Sequence, residues 1–205
     1  MAEPTDALPP ILRARYGPAS LVFLTSVCVM TLEIAAGRLI ARDLGSSLYT
    51  WTSVIGVVLA GLALGNYLGG RFTERYEATR LLGALFIASA ITTATVPLVE
   101  YQVVSTQPFD GLVWPLRVAL TVAVQFLLPS AVLGTIGPVI LKLALDVGRS
   151  RAGHTIGNVY AAGAFGSIVG TFLSGFYLLG VLGTRSLIWA TAALLGALAL
   201  TVVRT

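Results

Sequence analysis

The chain has 205 residues, of which 56% are hydrophobic and only 11% are charged. Soluble domains carry roughly a quarter charged residues, so this composition excludes an ordinary soluble protein and favours a membrane protein. The formal net charge of +4 does not indicate nucleic-acid binding, because the basic residues are scattered between apolar runs and form no continuous basic face. We therefore expect contact with a lipid bilayer and no nucleic-acid partner.

The residue inventory is poor in the groups that most site chemistry requires. Cys28 is the only cysteine and His154 the only histidine, which predicts neither a disulfide framework nor a metal site. No two of the 22 glycines are separated by a single residue, and no Gly-Lys pair is followed by Ser or Thr, so the usual loops for nucleotides are absent. We therefore expect no cofactor, and no enzymatic activity, because a serine or cysteine nucleophile needs a neighbouring base.

The first 18 residues contain four prolines and two arginines before the first apolar run begins. A signal peptide would have a shorter apolar core followed by a small-residue cleavage site. We therefore predict that residues 1–18 form a short cytosolic tail and that the first apolar run is retained as a transmembrane helix.

Six apolar segments follow, and each reaches the roughly 20 residues that a bilayer core requires. They run over about 19–41, 49–70, 80–99, 116–144, 153–179 and 184–203. The remaining segments are too short for a folded soluble domain. The sequence thus predicts an all-α, polytopic membrane protein whose residues 19–205 form a six-helix bundle.

The distribution of lysine and arginine predicts the orientation of the bundle, because cytoplasmic segments are enriched in these residues. A cytoplasmic N-terminus places nine of the thirteen inside and four outside. The inner group is Arg13, Arg15, Arg71, Arg75, Arg80, Lys142, Arg149, Arg151 and Arg204, and the outer group is Arg38, Arg42, Arg117 and Arg185. Both termini are therefore expected in the cytoplasm.

Small residues recur at intervals of four in two of the predicted helices. Gly61, Gly65 and Gly69 share one face of the second helix, and Gly166, Gly170 and Ser174 share one face of the fifth. Lipid supplies no hydrophobic force between helices, so such faces allow close van der Waals packing instead. The pattern is compatible with packing inside one subunit or with a sliding or dimerising surface.

The fourth helix contains Pro129 and Pro138 with Gly134 and Gly137 between them. Membrane helices tolerate such residues as kinks, because neighbouring groups satisfy the freed carbonyls. A kink here could serve packing alone or could line a pathway.

Two ionisable residues fall inside the first apolar segment. Glu33 lies near mid-membrane, where a carboxylate is costly and is therefore a functional or pairing residue by default. Arg38 is five residues further on, about 140° around the helix, so the two are not expected to pair on one face. The candidate partners on other helices are Asn66, Tyr67, Gln125, Asn158 and Tyr160. This set predicts either a structural polar network or a site for a polar or cationic solute or a proton.

The segment after the second helix resembles the signature loop of the major facilitator superfamily. The matching residues are Gly70, Glu74, Arg75 and Arg80, while Glu77 stands where the pattern expects a glycine. The resemblance implies a loop that pairs charges with neighbouring helices and gates the inner face.

A second resemblance covers nearly the whole chain. Five parts of the sequence are similar to the membrane half of the bacterial fused major-facilitator/spermidine-synthase proteins. They are Glu33 with Arg38, Gly45-Ser46-Ser47, the run from Gly61 to Arg71, Leu128-Pro129 with Gly134 and Pro138, and the run from Gly157 to Gly183. The resemblance implies half of a facilitator fold in the bacterial inner membrane. The synthase domain of that family is expected to be lacking, since its catalytic residues have no counterpart here.

These observations support two functional hypotheses. The first is a transporter-like protein that moves a polyamine or a related small cationic or polar solute as a homodimer of half-bundles. The second is a non-catalytic anchor or accessory subunit that recruits a separate synthase-like protein or joins a larger membrane complex. The charged residues at depth favour the first hypothesis, and the missing second half favours the other.

Overall fold

The computed structural model describes residues 17–147 and 151–203, which form six long helices. They are α1 (Gly17–Leu44), α2 (Leu48–Arg75), α3 (Ala78–Thr106), α4 (Trp114–Val147), α5 (Ala152–Leu182) and α6 (Thr184–Val203). All six are long and apolar enough to cross a membrane, and the described residues contain no strand. The predicted all-α six-helix membrane protein is therefore confirmed.

Most helices extend beyond the apolar runs that predicted them. The break expected over 100–115 shrinks to 107–113, because α3 continues to Thr106. Backbone hydrogen bonds continue a helix past the apolar residues, so hydropathy marks the membrane core and not the helix end. Of the tail predicted over 1–18, only Gly17 and Pro18 are described, and both belong to α1.

Local hydrogen bonds explain where two of the helices begin. Gly45 has a φ of +78°, which suits glycine, and it ends α1 at the predicted Gly45-Ser46-Ser47 break. The Ser47 hydroxyl then accepts a hydrogen bond from the Thr50 backbone N–H at 3.2 Å and caps α2. The carboxylate of Glu77 caps α3 by accepting from the backbone N–H groups of Thr79 and Arg80.

Neighbouring helices pack around one apolar core. In this arrangement α2 packs mainly on α4, α5 on α1, and α3 on α6 and α4. Fully buried side chains such as Leu32, Phe86, Phe126, Ile136 and Leu195 fill the centre. The helices α2 and α5 are the least buried of the six.

Both glycine faces are occupied within the chain. A Cβ built on Gly65 would lie 2.1 Å from the Ala131 carbonyl oxygen, so only glycine permits this approach of α2 to α4. A Cβ on Gly166 would lie 2.3 Å from the Phe23 carbonyl oxygen of α1. Of the two interpretations of these faces, packing inside one subunit is therefore the correct one.

Two helices contain irregular features. Helix α4 runs without a break through Pro129 and Pro138, as expected for prolines in a membrane helix. Helix α5 contains a π-helical segment, Ser174–Leu178. At its start the buried Ser174 hydroxyl hydrogen-bonds the Thr31 hydroxyl of α1 at 2.7 Å.

The two ends of the bundle carry different charged residues. The end at which α1 and α3 finish contains Glu100 and is called the Glu100 end. At the opposite end α2 finishes, and the Lys142 ammonium of α4 donates a hydrogen bond to the Thr73 carbonyl of α2. This opposite end is called the Lys142 end.

Candidate functional site

The carboxylate of Glu33 has no counter-ion among the residues that the structure describes. The side chain is half-buried on α1 and makes no hydrogen bond or ion pair with any described residue. An ionisable group in a membrane span without a partner is costly, and it marks a candidate site by default.

Glu33 lies on a side of α1 that α2 approaches. Gly37, one turn further along and on the same side, packs so closely on the Trp51 indole of α2 that a Cβ there would lie 2.8 Å from the ring. Ser26, two turns before Glu33 on the same face, lies next to Gly163 of α5, so Glu33 is on the side of α1 between α2 and α5.

Gln125 lies at nearly the same depth as Glu33. Helices α2 and α4 are parallel, and residues in contact between them are about 69 apart in sequence, as Thr73 and Lys142 are. Gln125 is 69 residues after Gly56, so these two residues lie at the same level. Helices α1 and α2 are antiparallel, and Gly37 of α1 contacts Trp51 of α2. Glu33 is one turn before Gly37, so it is level with Ile55, which is one turn after Trp51 and next to Gly56.

The polar groups of Gln125 are also unpaired. The side chain is only 2% exposed, and neither amide atom has a hydrogen-bond partner among the described residues. Pro129 has no N–H to donate to the Gln125 carbonyl, so this backbone group also lacks its helical partner. Glu33 and Gln125 do not bond to each other.

The other residues of the predicted site lie elsewhere. Arg38 is exposed and unbonded to any described residue, and it does not pair with Glu33, as predicted. Asn66 and Tyr67 are about 22 Å along α2 from Trp51, toward the Lys142 end. Tyr67 is exposed there, under the Arg71 guanidinium at 4.7 Å.

The two residues predicted on α5 are near its start. Asn158 is exposed, and its amide lies 3.2 Å from Nδ1 of His154 one turn earlier. Tyr160 is 68% exposed. The seven predicted residues therefore do not form one cluster: Glu33 and Gln125 share a depth, and the rest are distributed along the bundle.

The predicted gating loop is largely helical, which corrects the expectation. Gly70, Glu74 and Arg75 belong to the last turns of α2, and Arg80 lies in the first turn of α3. Only Tyr76 and Glu77 separate the two helices. The Arg80 guanidinium contacts the Glu77 carboxylate at 3.6 Å, but both side chains are well exposed, so this pair contributes little.

A buried ion-pair network at the Glu100 end was not predicted. Glu100 of α3 is 1% exposed, and the Arg185 guanidinium of α6 donates to both of its carboxylate oxygens at 2.8 to 3.1 Å. The Arg42 guanidinium of α1 donates to the same carboxylate and also, at 3.0 Å, to Asp43. One acidic residue therefore joins three helices through charge-assisted hydrogen bonds.

A further ion pair lies near this network. Arg117 of α4 pairs with Asp110 in the connection between α3 and α4, and its guanidinium is 5.7 Å from the Trp114 ring. Three of the four arginines predicted outside, Arg42, Arg117 and Arg185, therefore have acidic partners. Arg38 is the exception among them.

The described residues contain no group of three His, Cys, Asp or Glu side chains that could hold a metal ion. Inside the spans, the most distinctive chemical feature is the pair formed by the Glu33 carboxylate and the Gln125 amide, which lie at the same depth and have no partner among the described residues. Comparison with known protein families, curated proteins and solved structures gives no match for this chain.

Proposed function

We propose that this protein transports a small polar or cationic solute, such as a polyamine, across the bacterial inner membrane. The observation that carries the proposal is the half-buried, unpaired carboxylate of Glu33 inside a membrane span. A carboxylate kept in such a place at a cost of a few kcal/mol is available to a cation or a proton. The unpaired Gln125 amide at the same depth adds hydrogen-bonding capacity for a polar solute.

We further propose that two copies form the transport path. In facilitator-type folds the solute site lies between two six-helix halves, and the described residues of this chain supply six helices. The least buried helices, α2 and α5, offer the surface for the second copy, and Glu33 is on the side of α1 between them. The fit to such a half-bundle rests on the sequence resemblance described above.

The test is uptake of labelled spermidine and putrescine into proteoliposomes that contain only this chain. Glu33→Gln keeps the size of the side chain and removes its charge, so uptake should fall roughly a hundredfold, comparable to the loss of a charged hydrogen bond. Glu33→Asp, which keeps a carboxylate, should recover part of the activity. Equal uptake by the wild type and Glu33→Gln, with both proteins folded, would contradict the proposal.

The alternative, a non-catalytic anchor for a soluble synthase-like protein, is favoured by the exposed basic residues at the Lys142 end. Arg71, Arg75 and Arg80 project from adjacent helix ends and are all exposed. Purification from native membranes distinguishes the two functions. A soluble partner that is retained by the wild type and lost when these three arginines are changed to glutamine would support the anchor.

A further inference from the structure

A cavity of about 60 Å³ opens at the Glu100 end, between the last turn of α1, the end of α3 and the start of α4. It has room for roughly four water molecules or a small organic group. Its lining residues are Asp43, Leu44, Val103, Val104, Gln107, Pro108, Phe109, Asp110, Arg117 and Thr121. None of them belongs to the site around Glu33.

One carboxylate oxygen of this cavity's lining is unpaired. Oδ1 of Asp43 accepts a hydrogen bond from the Arg42 guanidinium at 3.0 Å. Oδ2 of the same carboxylate is buried and has no hydrogen-bond partner among the described residues. A buried acceptor of this kind is costly when it is unpaired, so a ligand that donates a hydrogen bond to Oδ2 would remove this cost.

The charges around the cavity are balanced. Asp43 is paired with Arg42, and Asp110 is paired with Arg117, so these four groups sum to zero. A monovalent cation fits such a surrounding better than a multivalent metal ion does, because each carboxylate already shares its charge with an arginine. The side chains of Val103, Val104 and Phe109 form an apolar wall that suits a short carbon chain.

The cavity lies at the level of a membrane interface. Exposed aromatic side chains surround the same end of the bundle, as they do at lipid headgroup depth. They are Tyr49, Trp51, Tyr101 and Trp114. Arg42 and Arg185 are half-exposed beside the cavity's helices, where their guanidinium groups can contact a phosphate.

We propose that this cavity binds a primary ammonium group at the membrane surface. The ammonium donates to Oδ2 of Asp43, and its carbon chain lies against the wall formed by Val103, Val104 and Phe109. A phosphoethanolamine lipid headgroup and a free alkylamine share this chemistry. The neighbouring arginines add a contact for the phosphate in the first case only.

The experiment compares the thermal stability of the purified chain in nanodiscs of phosphatidylcholine and in nanodiscs that also contain phosphatidylethanolamine. In a second arm ethylammonium chloride is titrated into the phosphatidylcholine sample, with tetramethylammonium chloride as the control that lacks N–H donors. Asp43→Asn places an amide N–H₂ where the free oxygen was, so binding should weaken roughly tenfold. Val103→Phe fills the cavity without changing any charge and should also weaken binding.

Glu74→Gln, an equal change of charge at the exposed Lys142 end, is the matched control and should bind like the wild type. Stabilisation by phosphatidylethanolamine that is lost in Asp43→Asn supports the lipid headgroup as the source. Stabilisation by ethylammonium alone supports the same site with a free amine. No stabilisation in either arm, or an equal effect in Asp43→Asn, would overturn the proposal.

Discussion

Glu100 has the most extensive polar contacts of the described acidic residues. Its carboxylate is almost fully buried and accepts hydrogen bonds from Arg185 and Arg42, whose side chains are about half-exposed. Removing a buried partner lowers the stability more than removing an exposed one, because water cannot easily reach a buried site to replace the lost hydrogen bond. The carboxylate should therefore contribute substantially to the stability of the bundle.

We expect Glu100→Gln to lower the free energy of unfolding by about 2 kcal/mol, as for the loss of a charged hydrogen bond whose donors stay partly solvated. Unfolding in mixed micelles measures this loss. Arg80→Ala, which removes the exposed pair with Glu77, is the control and should change stability by less than about 0.5 kcal/mol. Equal losses in the two variants would show that the Glu100 network contributes no more than a surface pair.

The sequence did not reveal this network, although it contained a usable signal. Arg42 and Arg185 are 58 and 85 residues away from Glu100, so no local pattern joins them. Hydropathy placed Glu100 in a break between helices, whereas the structure places it in the last two turns of α3. The usable signal was the predicted topology, which put Glu100, Arg42 and Arg185 at the same end of the bundle.

At the scale of elements, close contact between helix backbones replaces the hydrophobic driving force that soluble helices have. The α2–α4 contact shows this most directly. Gly61, Gly65 and Gly69 each lie so near α4 that a Cβ would come within 3 Å of its backbone or side chains. In the same helix Gly56 and Gly70 have nothing within 4 Å of such a Cβ, so helix α2 supplies its own controls.

We expect Gly65→Ala to destabilise the fold by about 2 kcal/mol or more, because the added methyl forces α2 away from the Ala131 carbonyl. Gly70→Ala should stay within about 1 kcal/mol of the wild type, since only helix propensity changes. Unfolding in mixed micelles measures both variants. A Gly65→Ala protein as stable as Gly70→Ala would contradict the packing described for α2 and α4.

The glycine faces and the six spans were predictable because they depend on local periodicity, which the sequence displays directly. The choice of partner was not predictable: both glycine faces could have met another chain, and only the assembled bundle pairs Gly65 with Gly134 and Gly166 with Phe23. The same limit applies to the candidate site. Glu33 was recognisable from its place in an apolar run, but the separation of Asn66 and Tyr160 from it depends on helix packing.

At the scale of the whole molecule, the ion pairs refine the charge asymmetry that predicted the orientation. Arg42, Arg117 and Arg185 at the Glu100 end have acidic partners, which gives each a structural reason to be there. Arg71, Arg75 and Arg80 at the Lys142 end are exposed, as expected of residues that set the orientation. Arg13, Arg15, Arg149 and Arg204, also counted as inner, lie outside the described residues.

We therefore predict that the Lys142 end faces the cytoplasm, and cysteine labelling on bacterial spheroplasts tests this. Cys28 is the only cysteine in the sequence, so Cys28→Ala provides a background without reactive thiols. In that background Ser46→Cys, at the exposed Glu100 end, should react with a membrane-impermeant maleimide on spheroplasts. Tyr76→Cys, between α2 and α3, should react only after the membrane is opened. If Tyr76→Cys reacted on spheroplasts and Ser46→Cys reacted only after the membrane was opened, the orientation would be the opposite one. The cavity at Asp43 would then lie at the cytoplasmic surface.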